Sequence, residues 1–248
     1  MTIQAAPLSP RKGIQLISVI GVGHFFSHFY GIALPPLFPF LQEDLTVGFL
    51  GLGFLASAFY LASGSLQLPM GILVDRFGPA RVLIFGITLQ AVAVILISYA
   101  SSYWIIFALV LLMGAGNSVY HPADYTIISA RMPSQRLGLA FSIHTFSGHL
   151  GWAAAPTVLG FIALNYGWRT ALFIAGLCGL MAAALMLLNR NLLGMSVIVA
   201  ASHKGAEIAK VGLKQILTRP ILACFLFFML FSMALTGFQS FFVSAAHA

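Results

Sequence analysis

The chain has 248 residues, of which 60% are hydrophobic and 7% are Asp, Glu, Lys or Arg, against about 25% charged residues in an average soluble domain. So few polar groups cannot cover a water-facing surface, which excludes a soluble globule, and the composition is the reverse of what keeps a chain disordered. The formal net charge of +7 comes from cations spread along the chain rather than gathered in one patch, so it speaks for membrane orientation and against nucleic-acid binding.

Residues 1–13 form a short N-terminal segment ending in the basic pair Arg11 and Lys12. The apolar run that follows outlasts the roughly 7–15 residues of a signal-peptide core, so it is predicted to stay as a first span. A bilayer core takes about 20 apolar residues in a helix. Seven stretches reach that length: 14–41, 49–69, 80–100, 103–130, 137–164, 169–188 and 220–245. None alternates every second residue as a membrane β-barrel would, so the chain is read as all-α. Between the sixth and seventh spans, residues 191–219 mix Lys204, Glu207, Lys210 and Lys214 with Ile208, Val211, Ile216 and Leu217. That pattern predicts a linker with an interfacial amphipathic helix. Four parts result: an N-terminal segment (1–13), a six-helix bundle (14–190), the linker (191–219) and a seventh helix (220–248).

Threading the spans alternately across the membrane places Arg11, Lys12, Arg76, Arg81, Arg131, Arg136, Arg190, Lys204, Lys210, Lys214 and Arg219 on one side and Arg169 alone on the other. The positive-inside rule makes the crowded side cytoplasmic. The N-terminus is therefore predicted inside, with Glu43 and Asp44 outward. Cys178 and Cys224 lie in apolar runs, where a thiol behaves as a small hydrophobe, so neither a disulfide nor a zinc site is expected.

An ionised side chain at mid-bilayer costs about 2.5–3.5 kcal/mol on insertion scales, which makes any that remain there functional candidates. The fourth span carries Asn117, His121 and Asp124 at i, i+4 and i+7, one stripe of one helix face; the first carries His24 and His28 at i and i+4. Pro122 cannot donate to the carbonyl of Ser118, which frees that oxygen for another partner. In the fifth span His144 and His149 are about 140° apart around the helix, so at most one reaches a shared face. His144 lies on the stripe of Gly148 and Gly151. The bland alternative for all of these is hydrogen bonding between helices as polar glue. Small residues at Gly53 with Ser57, Gly114 with Ser118, and Gly151 with Ala155 read as packing seams.

Between the second and third spans stands GILVDRFGPARV, residues 71–82. Gly71, Leu73, Asp75, Arg76, Gly78 and Arg81 match the loop signature of the major facilitator superfamily, and Gly167, Trp168 and Arg169 resemble its outer-side G-W-R. The chain resembles the first half of that fold: six helices in two three-helix inverted repeats, then a linker and a seventh helix, with the second half missing. His28 with LPPLFPFL (34–41) and GAGNSVYHPADY (114–125) resemble the fosmidomycin-resistance-like branch. There are departures. Val110 stands where many drug antiporters carry an arginine, and the fifth-helix antiporter signature is reduced to Gly148, Gly151, Ala155, Pro156 and Gly160.

The resemblance implies a multi-pass protein of a bacterial inner membrane, working by alternating access on a small solute, with efflux of an antibiotic as one candidate activity. It turns the first and fourth helices toward the central cavity. Asp124, His121, His28, His24, Asn117 and His144 thereby become candidates for substrate binding or proton coupling. Gly71, Asp75, Arg76, Gly78 and Arg81 become a cytoplasmic gating loop. The expected partners are the lipid bilayer, a small-molecule substrate, protons and a second half. No cofactor is expected. No nucleophile and base pair or phosphate-cradling loop appears, so an enzyme is not expected. Two alternatives remain at this point: a half-transporter subunit without transport of its own, and a metal-ion transporter using His24, His28, His121 and Asp124.

Overall fold

The structure is a computed structural model describing residues 8–194 and 218–246. It is built from helices: α1 (Pro10–Gly31), α2 (Phe38–Leu45), α3 (Phe49–Phe77), α4 (Pro79–Tyr99), α5 (Tyr103–Asn117), α6 (Tyr120–Arg131), α7 (Leu137–Tyr166), α8 (Trp168–Leu188) and α9 (Arg219–Ala246). Helices are imposed by the solvent, because lipid offers no partner to a free backbone N–H or C=O. Five are long and apolar enough to cross a membrane when α5 and α6 are taken together, and α1 with α2 makes a sixth, bent by 42°. The amphipathic helix expected in 191–219 falls largely on 195–217, outside the described residues.

Three boundaries differ from the sequence reading. The first span is broken: α1 ends at Gly31, a 3₁₀ turn covers Pro35–Leu37, and α2 follows. Pro35, Pro36 and Pro39 supply no N–H, so one straight helix through 14–41 cannot form. The supposed loop at 71–82 is mostly helix. α3 runs through Phe77, the turn is Gly78 alone at φ 96°, and Pro79 starts α4. Gly71 is therefore a helical residue with open space around it, not a turn glycine. The fourth span breaks at Ser118–Val119, and Pro122 falls in the first turn of α6, where no donor is needed.

The turn from α7 to α8 repeats the one from α3 to α4. Gly167 alone makes it, at φ 84°. Gly78 N donates to Val74 O and Gly167 N to Ala163 O, each at 2.9 Å, and the next helix then starts on the glycine's own carbonyl. Only glycine takes such a φ without strain. Helix pairing follows the same symmetry. With the spans numbered one to six, the first packs on the fifth (α1 on α7), the second on the fourth (α3 on α5), and the third on the sixth (α4 on α8). Exchanging the first three spans with the last three maps these three pairs onto themselves, as a three-helix repeat requires, while the third span also packs extensively on the fourth (α4 on α5). α9 lies against the Pro35–Leu37 turn.

Small residues let backbones meet, as interfaces without a hydrophobic driving force require. A Cβ on Gly151 would stand 2.2 Å from the carbonyl of Phe25, and one on Gly114 2.5 Å from that of Phe59. Gly86 and Gly116 each lie against the other's carbonyl at 2.8 Å on the same measure.

Two apolar clusters form the interior. One gathers Phe29, Leu37, Leu52, Ile97, Ile106 and Leu172; the other gathers Leu16, Ile20, Leu83, Ile87, Ile127 and Met186. Along α1, α3, α4 and α7, and just after α5, most buried polar residues fall at the change from one cluster to the other: His24 and Ser27, Ser63, Gln90, Ser118 and His144, with Ser98 of α4 set instead within the first cluster. Asp124 joins them from α6. The bundle thus has a polar layer between two apolar ones.

Candidate functional site

Asp124 is the centre of this layer, with 0% of its surface exposed. Its Oδ2 lies 3.0 Å from His144 Nε2 in a hydrogen bond, and 3.5 Å from His24 Nδ1. His24 and His144 are 2% exposed and stack on each other, ring centroids 3.6 Å apart and planes 24° apart. Three helices contribute: α1 brings His24, α6 Asp124 and α7 His144. α1 approaches α7 closely enough because Gly148 and Gly151 have no side chain, and a Cβ on Gly148 would stand 2.9 Å from the His24 ring.

Further rings surround these three residues. His28 is 4.5 Å from His24, and His121 is 5.5 Å from His24 and 6.5 Å from His28, centroid to centroid. Tyr125 stands 5.5 Å from His121 and 5.7 Å from His144, and Trp152 stands 4.4 Å from His28. Nδ1 of His24, of His28 and of His121, and Oδ1 of Asp124, are buried with no hydrogen-bond partner among the described residues. His149 is exposed and bonds Thr145 of its own helix through Nδ1.

Asn117 stands just before the break at Ser118–Val119 and bonds other residues than Asp124 does. It ties four helices together: Oδ1 accepts from Ser27 Oγ on α1 at 2.8 Å and from Gln90 Nε2 on α4 at 3.2 Å, and Nδ2 donates to Ser63 Oγ on α3 at 2.9 Å. Its geometry is that of polar glue. Ser27, Ser63 and Gln90 escaped the sequence reading. Gln90 is the one amide in α4's apolar run and was the only available signal; single serines in helices carry none.

At the Gly78 turn, Asp75, Arg76 and Arg81 are exposed, with Arg76 5.3 Å above the ring of Phe77. No ion pair to Asp75 is present among the described residues. At the Gly167 turn the arrangement is tighter. Arg169 pairs with the Asp44 carboxylate, Trp168 Nε1 donates to the same oxygen at 3.2 Å, and Arg169 Nη2 donates to the carbonyl of Ala100 at 3.0 Å. This joins α2, α4 and α8 at one end of the bundle.

His24, Asp124 and His144 also place their ligand atoms within 4.8 Å of one another, a different set from the His24, His28, His121 and Asp124 that the sequence suggested. The rings argue against chelation. A metal about 2.0–2.1 Å from an imidazole nitrogen sits in the ring plane, along the lone pair. Two rings stacked at 3.6 Å and 24° cannot both hold one ion in plane without swinging apart. In this arrangement His144 Nε2 bonds the Asp124 carboxylate and His24 Nδ1 stands 3.5 Å from the same oxygen.

The Major Facilitator Superfamily model matches residues 20–247. The chain is 27% identical over 164 residues to the fosmidomycin resistance protein of Escherichia coli (strain K12), covering 66% of this chain and 40% of that protein. It is 28% identical over 163 residues to the probable sulfoacetate transporter SauU of Cupriavidus necator, covering 65% and 38%. To the multidrug resistance protein MdtG of Proteus mirabilis it is 30% identical over 145 residues, covering 57% and 36%. The chain thus spans about 40% of the length of these relatives. Among solved structures, the peptide transporter POT in complex with sulfate superposes with a TM-score of 0.61 at 20% identity, covering 82% of this chain and 44% of that one, which is a likeness of fold. Together with the repeat symmetry and the buried polar layer, the match over residues 20–247 establishes that the chain belongs to the major facilitator superfamily of membrane transporters.

Proposed function

We propose that the protein is a proton-coupled secondary transporter moving a small solute by alternating access, with His24, Asp124 and His144 as the coupling centre. The observation that carries this reading is a fully buried carboxylate hydrogen-bonded to His144 and 3.5 Å from His24, the three residues standing on three separate helices. Such a group is costly to keep within a membrane, and imidazole changes charge in the physiological range. A proton gained or lost there changes how tightly α1, α6 and α7 hold together, and so biases one conformation over another.

His28, His121 and Tyr125 then face the solute passage. The exposed Asp75, Arg76 and Arg81 at the Gly78 turn, together with Gly71 and Gly78, act as the cytoplasmic gate, and the N-terminus lies in the cytoplasm of a bacterial inner membrane. Asn117 serves as the pivot that holds α5 while α6 moves. Fosmidomycin and sulfoacetate, which appear in the names of relatives, are the first solutes to try, as efflux and as uptake. Because the match covers about 40% of those relatives, the transport unit we propose includes a second half, on the same or a separate polypeptide.

The test is transport of each radiolabelled solute in proteoliposomes across an acidic-to-neutral range, for the wild type and Asp124→Asn. The variant is expected to lose the pH dependence. Retention of the wild-type pH dependence sinks the proposal.

A further inference from the structure

We infer that His24 and His144 are not two proton sites but one: a single exchangeable proton is held between them against Asp124. The centre therefore alternates between two charge states only, a carboxylate facing two neutral rings and a carboxylate facing one imidazolium. The inference rests on the proton-coupling reading for its role in transport, and on geometry alone for its charge count.

Both rings address one oxygen. Asp124 Oδ2 lies 3.0 Å from His144 Nε2 in a hydrogen bond and 3.5 Å from His24 Nδ1, which has no hydrogen-bond partner among the described residues, so a small turn of the His24 ring lets the same oxygen accept from it instead. The rings stack at 3.6 Å. A second proton would set two positive charges face to face at that separation, buried away from water, with one negative charge to offset both.

Among the described residues no other acid is near enough to help. The chain has five acidic residues. Glu43 and Asp44 are exposed at the end of α2, Asp75 is exposed at the end of α3, and Glu207 lies outside the described residues. The titratable groups that do face the pair carry no negative charge at neutral pH. On α1 this is His28, 4.5 Å from His24. On α6 they are Tyr120, whose buried hydroxyl has no partner among the described residues, His121 at 5.5 Å from His24, and Tyr125 at 5.7 Å from His144. On α7, His149 stands 6.5 Å from His28. α8 presents the thioether of Met186 near Gly23. Each of these surrounding imidazoles adds further repulsion against a second proton when it is itself charged. Asp124 is thus the sole counter-charge among the described residues of the bundle interior, and its capacity is one proton.

The test counts protons, with no solute required. Purified wild type, His24→Gln, His144→Gln and the double variant are titrated potentiometrically in detergent from neutral to mildly acidic pH. If one proton is shared, each single variant binds as many protons as the wild type, because the remaining ring still pairs with Asp124, and the double variant binds one fewer. A proton lost in either single variant, two lost in the double, or none lost in the double overturns the inference. Should the variants misfold, nuclear magnetic resonance of the wild type labelled with ¹⁵N-histidine decides the same question. The ring signals of His24 and His144 are expected to shift together through one midpoint and sum to one proton; two separate complete transitions overturn it. Failure of the coupling reading shows differently, as pH-dependent transport that survives in Asp124→Asn while the proton count stands.

Discussion

Replacing Gly151 by alanine tests the contact that assembles the site. The new Cβ would lie 2.2 Å from the carbonyl oxygen of Phe25 and 3.0 Å from the backbone nitrogen of Phe29. Neither atom is the end of a flexible side chain, so α1 and α7 must part by roughly 1 Å to restore ordinary contact. Alanine recovers up to about 1 kcal/mol of helix propensity, while overpacking a well-packed interior costs about 1–3 kcal/mol. With backbone as the obstacle the upper end applies, and a net loss of about 1–2 kcal/mol is expected. A Cβ on Gly160, in the same helix, would meet nothing within 4 Å, so Gly160→Ala is expected to be neutral or to gain up to about 1 kcal/mol. Both are measured by reversible unfolding in mixed micelles with rising SDS, followed by circular dichroism. If Gly151→Ala proves as stable as Gly160→Ala, α1 and α7 are not in backbone contact, and the stacked pair His24 and His144 loses its structural basis.

Gly148→Ala separates the site from the scaffold. Its Cβ would meet ring atoms of His24 and His28 at 2.9 and 3.0 Å, and rings can swing, so a stability change under about 1 kcal/mol is expected alongside an altered proton titration; an unchanged titration refutes the placement of the rings. Asn117→Ala removes three interhelical hydrogen bonds, which at about 0.6 kcal/mol each within membranes predicts a loss of roughly 2 kcal/mol in the same unfolding assay. A loss within error of zero removes Asn117 as the tie between α1, α3, α4 and α5.

The sites where reading the sequence fell short share one cause. The spacing of Asn117, His121 and Asp124 gives no sign that Asn117 bonds Ser27, Ser63 and Gln90 while Asp124 meets His144 and His24, because the neighbours of a helix face are set by packing between helices. Gly71 and Gly78 look alike in a loop signature, yet one sits inside α3 and the other makes the whole turn at φ 96°. The three prolines from Pro35 to Pro39 did announce the bend in the first span, since each removes a donor. Ser27 and Ser63 carried no signal at all, because a serine in a membrane helix satisfies itself on its own backbone as readily as it reaches a neighbour.

What the residues determine by themselves is everything that depends on the solvent and on local chain chemistry: the membrane-spanning character, the helices, the positions of the apolar runs, and the glycines that end them. Transfer of each segment into lipid is a property of that segment alone. Which polar groups meet is a property of pairs of segments. Asp124 finds His144 and His24 only because glycines bring α1 against α7, and distance between helices is written in the packing, not in the order of residues along any one of them.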